Sequence, residues 1–242
     1  MVDTSALNVP VLRAVQLGKR FEHKGRVLDV LRGVDLTVMR GEVVGIVGES
    51  GAGKSTLLHC LGTLDTPSSG ELHIDGIDAT LMGSDALAHL RNTKIGFVFQ
   101  SHHLLAEFTA IENVMMPGFI AGNARAPLQK RAEELLALVG LQARSDHRPS
   151  ELSGGEQQRV ALARALVLSP AIVMADEPSG NLDSKTALQI HELFFDLNRA
   201  TNTTFVIVTH NNEFASQLPR VVTMRDGMVL SDLRTTDPTL PL

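Results

Sequence analysis

Residues 48–56 read Gly-Glu-Ser-Gly-Ala-Gly-Lys-Ser-Thr and follow the apolar run 43–47 directly. A glycine-rich loop that leaves a buried strand and ends in Lys-Ser at the start of a helix is typical of a phosphate-binding loop. Its glycines let backbone N–H groups approach an anion, and the helix directs its positive end to the same place. Lys54 adds a mobile positive charge, and the hydroxyl of Ser55 can bind Mg²⁺. The predicted nucleotide site therefore consists of Gly48, Glu49, Ser50, Gly51, Ala52, Gly53, Lys54, Ser55 and Thr56.

Two adjacent carboxylates, Asp176 and Glu177, stand at the end of a second apolar run, residues 171–175. A strand that ends in this way places one carboxylate to hold Mg²⁺ and the other to act on water. The simpler interpretation is a pair of solvated acids in a turn. The phosphate-binding loop elsewhere in the chain favours the catalytic interpretation.

The elements that must position these residues alternate between strands and helices. Short strands are predicted at 11–17, 27–30 and 34–38, and they indicate a small antiparallel sheet ahead of the strand at 43–47. Further along, the pattern predicts helices at 54–64, 85–91 and 184–200, strands at 71–74, 94–99, 171–175, 204–208, 221–224 and 228–230, and a largely helical block at 101–168. This alternation predicts a parallel sheet that binds ligands at the carboxyl ends of its strands.

The bulk composition restricts the class of protein. A length of 242 residues suits one large α/β domain with an insertion, and a net charge of −5 argues against a general nucleic-acid surface. The single cysteine, Cys60, excludes an internal disulfide and, among leucines, is expected to be a buried core thiol. We expect no signal peptide and no membrane-spanning segment, so that any membrane contact is made through partners.

A third motif, residues 152–159, reads Leu-Ser-Gly-Gly-Glu-Gln-Gln-Arg. Ser153 and Glu156 could form a capping box at a helix start, which is a sound structural interpretation. Two glycines in the first turn weaken that helix, however, and their best use is to expose N–H groups to an anion. The whole octapeptide resembles the signature of ABC-type ATPases.

The resemblance implies a fold and a set of roles. The fold is α/β, a P-loop NTPase (RecA-like) core with a small antiparallel β subdomain and an inserted α-helical subdomain. The ligands are ATP and Mg²⁺, with Asp176 and Gln100 joining Ser55 at the metal. Glu177 becomes the general base, and His210 the switch residue that contacts the γ-phosphate. Phe21 matches the aromatic residue that stacks on adenine, although a core role for it is also open.

The resemblance also implies an organisation. Residues 1–242 form a single ABC ATPase domain, in which 11–100 and 166–231 build the nucleotide-binding core and 101–165 the helical subdomain. The loop 179–183, which ends at Asp183, links two active sites across a homodimer. Each ATP is completed by the signature residues of the other copy, which are Ser153, Gly154, Gly155 and Glu156.

Further stretches resemble a particular branch of the family. Residues 63–70 and 179–183 suit the branch of MacB-like, FtsE-like and lipoprotein-releasing ATPases, and residues 100–117 and 147–152 look like the lipoprotein-releasing members. This implies LolC- or LolE-like integral membrane partners, a peripheral location on the cytoplasmic face of the bacterial inner membrane, and no nucleic-acid partner. Residues 102–116 are then expected to dock a helix of the membrane partners; simple packing within the helical subdomain is the alternative.

Other functions remain as alternatives. An efflux or division ATPase of the MacB-like or FtsE-like kind differs only in its partner. A soluble ABC ATPase that acts on DNA or ribosomes would usually carry long coiled coils or tandem ATPase units, and neither fits this chain. A GTPase is disfavoured because no Asn-Lys-x-Asp string occurs.

Overall fold

The computed structural model describes residues 9–23 and 26–235. The strands are β1 (Pro10–His23), β2 (Arg26–Met39), β3 (Val43–Gly48), β4 (Ser69–Ile74), β5 (Ile77–Asp78), β6 (Ile95–Phe99), β7 (Ile172–Asp176), β8 (Thr204–Val208), β9 (Arg220–Arg225) and β10 (Met228–Arg234). The helices are α1 (Lys54–Leu61), α2 (Ser84–Lys94), α3 (Ala110–Ile120), α4 (Arg125–Leu138), α5 (Gly154–Leu166), α6 (Ser184–Thr201) and α7 (Asn212–Gln217). Contacts divide the chain into two compact units, residues 1–87 with 204–242, and residues 88–203.

The first unit carries strands of two sheets. β2, β1, β4 and β5 lie side by side in that order, and their pairings are antiparallel. In the other sheet, β3 lies between β8 and β9 and runs parallel to both, while β10 pairs antiparallel with β9. β8 is buried along its whole length, as a strand covered on both faces should be. This arrangement delivers the end of β3 to the start of α1.

The second unit is mainly helical and carries the parallel pair β6 and β7. α5 is its central helix, because it contacts α3, α4, α6 and β6. Small and aliphatic side chains on α5, from Val160 to Ala163, are fully buried. α3 begins at a complete capping box formed by Thr109 and Glu112.

The predicted strand and helix types are confirmed, and several boundaries are wrong. The segments 27–30 and 34–38 belong to one fourteen-residue strand, β2, which passes through Gly33 at φ 73° without a break. The register shifts between β1 and β2 absorb this irregularity, so Gly33 lies inside a strand although it falls between the two predicted segments. α1 ends at Leu61 rather than at residue 64, because the chain leaves helical geometry at Gly62 and reaches φ 59° at Thr63.

The expectation for Cys60 is confirmed. The thiol is fully buried on α1, and burial, reinforced by the charge of Asp65, raises its pKa to about 11 against the opposing charge of Lys19. It therefore stays protonated at neutral pH. Within the described ranges, no helix combines the length and the apolar character that crossing a membrane requires.

Candidate active site

The loop between β3 and α1 has the shape that an anion site requires. Gly51 has φ 82° and Gly53 has φ 95°, and both values lie in the left-handed region that side chains other than glycine rarely adopt. A Cβ at Gly51 would meet no atom within 4 Å, so the loop faces open space there. Gly53 is the N-cap of α1 and supplies no side-chain cap. The first turn of α1 therefore starts without a side-chain cap from Gly53, as the predicted anion site requires, and anion binding there stays a prediction.

Lys54 folds back over this loop. Its Nζ donates to the carbonyl oxygens of Gly48 at 2.8 Å and Glu49 at 2.9 Å. These two hydrogen bonds hold the ammonium group against the backbone of the loop. The side chains of Ser50 and Ser55 are exposed, whereas Ala52 is buried against the core.

Phe21 is not a core residue, because its ring on β1 is 41% exposed. The Nζ of Lys19 lies 4.9 Å from the centre of the ring, a cation–π contact. Lys19 is itself buried and is bound by the carboxylate of Asp65 and the carbonyl oxygen of Thr66. The core interpretation of Phe21 is therefore wrong, while adenine stacking stays a prediction.

His210 follows the buried strand β8 and is exposed. The next residue, Asn211, caps α7, since its Oδ1 accepts from the N–H of Phe214 at 2.9 Å. An aspartate at position 211 could cap the helix in the same way.

In the second unit, Asp176 ends β7 and Glu177 follows it, and both side chains are half-buried. Glu177 has φ 47°, a left-handed conformation that a glutamate adopts only when its surroundings impose it. Its carbonyl oxygen accepts from the N–H of Gly180 at 3.0 Å, which closes a tight turn after the carboxylates.

Gln100, which follows β6, is paired with Asn181 from this turn. Its Nε2 donates to Oδ1 of Asn181 at 2.8 Å, and Nδ2 of Asn181 donates to the backbone oxygen of Gln100 at 3.2 Å. Within the second unit, Gln100, a predicted metal ligand, thus contacts the turn that follows Glu177, the predicted general base.

The signature residues form the start of α5. The hydroxyl of Ser153 accepts from the N–H of Glu156, and the carboxylate of Glu156 accepts from the N–H of Ser153 at 2.8 Å and from its hydroxyl at 2.9 Å. These bonds to Ser153, with the charge of Arg144, lower the pKa of Glu156. The capping box is therefore present, whatever further role these residues have.

The two signature glycines differ in their surroundings. A Cβ on Gly155 would lie 2.4 Å from Cγ2 of Thr186, whereas a Cβ on Gly154 would lie 3.3 Å from the flexible tip of Leu182. Close packing of α5 against α6 therefore requires Gly155, and only Gly154 is exposed. Asp183 caps α6 and accepts from the N–H and the hydroxyl of Thr186.

The segment 102–116 divides into two parts. Met115 is buried within the helical unit, whereas Leu105 and Phe108 are 44% and 38% exposed. Packing therefore accounts for Met115, and only the exposed side chains are suited to docking a partner.

Sequence reasoning missed two further contacts of this site. The guanidinium of Arg164 on α5 donates to the carbonyl oxygens of His102 and His103, which follow Gln100 closely. The hydroxyl of Ser179 lies 2.8 Å from Nε2 of the buried His191. The sequence offers one weak signal for each contact, a polar side chain among apolar neighbours on a helix: Arg164 stands between Ala163 and Ala165, and His191 follows Ile190.

A family model described as ABC transporter matches residues 31–180, more than half of the chain. The chain therefore belongs to the ABC transporter family, as an ATP-binding cassette with ATPase activity.

Four relatives that are 50–55% identical to this chain share one name. The lipoprotein-releasing system ATP-binding protein LolD of Geobacter metallireducens is 54% identical over 222 residues, 92% of this chain and 99% of that protein. LolD of Porphyromonas gingivalis is 55% identical over 205 residues, 85% and 94% of the two chains. Among solved structures, a dimeric ATP-binding cassette, MJ0796, in a post-hydrolysis state bound to ADP and Pi is 39% identical, with a TM-score of 0.83 over 92% of this chain and 98% of that one.

Proposed function

We propose that this chain is the ATP-hydrolysing subunit of a lipoprotein-releasing transporter of the bacterial inner membrane. The observation that carries the proposal is identity of 50% and 54% to two LolD proteins, each over 92% of this chain. In this proposal the chain sits on the cytoplasmic face and reaches the membrane only through LolC- or LolE-like subunits.

The proposed division of roles follows the site residues. Residues 48–56 bind the phosphates of ATP, with Lys54 on the outer ones, and Phe21 stacks on adenine. Glu177 orients and deprotonates the attacking water, and His210 contacts the γ-phosphate. The position of Glu177 supports this role, because it follows Asp176 at the end of β7 and so places a second carboxylate beside a proposed metal ligand.

We assign Mg²⁺ to Ser55, Gln100 and Asp176. They offer a hydroxyl, an amide oxygen and a carboxylate, which are the hard oxygen ligands that this ion prefers. When bound, the ion neutralises charge on the phosphate oxygens. The three residues would hold the ion through these oxygen atoms.

The chain is proposed to act as a homodimer in which each ATP also contacts Ser153, Gly154, Gly155 and Glu156 of the other copy, with the loop ending at Asp183 between the two sites. The structure of MJ0796, a relative at 39% identity, is dimeric and so supports the dimer in this proposal. The exposure of Ser153 and Gly154 is compatible with it as well. ATP binding then closes the dimer, and hydrolysis lets it open.

Two variants test the enzymatic part. Glu177→Gln should retain ATP binding and accumulate a closed dimer with hydrolysis reduced by about 10²-fold or more. Ser153→Arg should leave ATP binding by the monomer intact and abolish hydrolysis, because the bulky cation blocks the shared site. Normal turnover by Glu177→Gln, or turnover by monomers of Ser153→Arg, would contradict the assignment.

The transport part is tested by copurification from the native host membrane. Recovery of LolC- or LolE-like subunits supports lipoprotein release. Recovery of a MacB-like or FtsX-like partner instead would assign the chain to efflux or to division, the second candidate that the family branch allows.

A further inference from the structure

The turn after the predicted general base is fixed at several points. The hydroxyl of Ser179 lies 2.8 Å from Nε2 of the buried His191 on α6. The N–H of Gly180 donates to the carbonyl oxygen of Glu177, and the N–H of Leu182 donates to that of Ser179. Asn181 therefore projects from a backbone that is held in place on both sides.

The hydrogen bonds of Asn181 determine the orientation of the Gln100 amide. The backbone oxygen of Gln100 can only accept, so the atom of Asn181 that faces it must be the donor Nδ2, at 3.2 Å. Oδ1 of Asn181 then faces the side chain of Gln100 and accepts from Nε2 at 2.8 Å. Because Nε2 of Gln100 is bonded to Asn181, the other atom of the same amide, Oε1, points away from Asn181. Only Oε1 can bind a cation.

Gly180 contributes to the same arrangement through its lack of a side chain. A Cβ at this position would lie 2.8 Å from Nε2 and 3.1 Å from Cδ of Gln100. Its φ is not in the left-handed region, so an alanine would fit the backbone of the turn and would act mainly by displacing the Gln100 amide. The absence of a side chain here makes room for Gln100.

The pair has little value for stability. The side chains of Gln100 and Asn181 are both exposed, so water competes for their hydrogen bonds and ordering them costs side-chain entropy. A role in placing Gln100 accounts for the reciprocal geometry better than a role in holding the fold.

We propose that Asn181 and Gly180 are positioning residues for Gln100, which together hold its Oε1 in the orientation that binds the metal of the nucleotide. This rests on the proposed function, in which Gln100 is a metal ligand. Neither Asn181 nor Gly180 touches the metal in this proposal; both act through the Gln100 amide.

The experiment uses full-length variants and Mn²⁺ in place of Mg²⁺. Mn²⁺ binding is titrated by electron paramagnetic resonance in the presence of a nonhydrolysable ATP analogue, so that the readout does not depend on turnover. Asn181→Ala and Gly180→Ala should each weaken Mn²⁺ binding by about three- to tenfold, as expected for the loss of one positioned ligand contact. Binding of a fluorescent ATP analogue in EDTA and the urea midpoint of unfolding should stay at wild-type values. Asn123→Ala, at an exposed asparagine in the turn after α3, is the matched control and should leave Mn²⁺ binding unchanged.

A double-mutant comparison separates this inference from the proposal beneath it. In a Gln100→Ala background, Asn181→Ala and Gly180→Ala should have no further effect, because the residue they position is gone. Gln100→Ala that leaves Mn²⁺ binding unchanged would overturn both the metal role of Gln100 and the positioning role. Gln100→Ala that weakens binding, with Asn181→Ala either silent or equally harmful in both backgrounds, would overturn the positioning role alone.

Discussion

Arg220 and Asp232 form a two-pronged ion pair across β9 and β10, with Nε to Oδ1 at 2.8 Å and Nη2 to Oδ2 at 2.7 Å. The remaining Nη1 of Arg220 donates to Glu42 at 2.8 Å and to the carbonyl oxygen of Thr37 at 2.9 Å. The side chain of Arg220 is 8% exposed, and its hydrogen bond to Asp232 raises its pKa despite burial. One buried cation thus connects β2, β9, β10 and the segment that enters β3.

Arg220→Met should lower the free energy of unfolding by about 3 kcal/mol, because Asp232 and Glu42 lose the charge that compensates their partial burial. Urea denaturation measures the change. The control is Arg20→Met, which breaks the pair of Arg20 with Asp29, whose side chains are 68% and 45% exposed. That substitution should cost about 1 kcal/mol or less, and equal effects of the two substitutions would refute the argument.

A second prediction concerns the loss of folding stability at low pH. Burial lowers the pKa of His191 from its ordinary value to about 4. The unfolded chain therefore binds a proton near pH 6.5 that the folded chain binds only near pH 4. The contribution of His191 to the free energy of unfolding is fully present above pH 6.5. It decreases by roughly 3 kcal/mol as the pH falls towards 4. Urea titrations from pH 7.5 to 4 should show this loss in the wild-type chain and not in His191→Gln.

Ser179→Ala is the matched variant for that experiment. It removes the hydroxyl that lies beside Nε2 of His191 and leaves the histidine buried. Since burial is the cause of the lowered pKa, Ser179→Ala should lose about 1 kcal/mol at neutral pH and keep the wild-type slope with pH. A slope that disappears in Ser179→Ala would assign the shift to the hydrogen bond instead.

Arg164 gives a third prediction. His102 and His103 adopt φ values of 30° and 50°, and each such residue costs on the order of 1–3 kcal/mol. The guanidinium of Arg164 donates to both of their carbonyl oxygens, at 2.8 and 2.6 Å, and so stabilises this turn. Arg164→Gln should increase hydrogen exchange of backbone amides in residues 101–108, measured by mass spectrometry.

Arg159 provides the control on the same helix. Its Nη1 donates to the carbonyl oxygen of Val139, at 3.1 Å, after the end of α4. Arg159→Gln should therefore increase exchange near residue 140 and leave residues 101–108 as in the wild-type chain. Increased exchange at 101–108 in both variants would indicate a general loosening of α5 rather than a local contact of Arg164.

The sequence predicts those parts of the site that are formed by residues close together in the chain. The loop 48–56, the capping box at Ser153 and the carboxylates after β7 each need only local spacing, so their elements follow directly from the chain. The bond between Gln100 and Asn181 joins positions 81 residues apart, and no periodicity encodes it. The same holds for Arg164 and the carbonyl oxygens of His102 and His103.

The burial of a side chain follows from the local sequence at some positions and not at others. Cys60 lies among leucines on α1, and its buried state follows from that neighbourhood. Phe21 lies on a strand whose register with β2 is irregular, so the alternation of inward and outward side chains does not determine which way its ring faces. For Gly155 the contact with an anion stays a prediction, and its packing against Thr186 of α6 is an additional reason for glycine that local sequence does not reveal.

That last contact separates the two signature glycines experimentally. Gly155→Ala gains helix propensity of about 1 kcal/mol but places a Cβ 2.4 Å from Cγ2 of Thr186, so α5 and α6 must move apart. Overpacking of this kind typically costs 1–3 kcal/mol, and we expect a net loss of about 1 kcal/mol. Gly154→Ala meets only the flexible tip of Leu182 at 3.3 Å and should be neutral or slightly stabilising. Urea denaturation of both variants without nucleotide measures the difference.

Adding Thr186→Ser, which removes the clashing methyl group and keeps the hydroxyl bonded to Asp183, should restore the stability of Gly155→Ala. A loss that persists in the double variant would show that the methyl contact is not what requires glycine at this position.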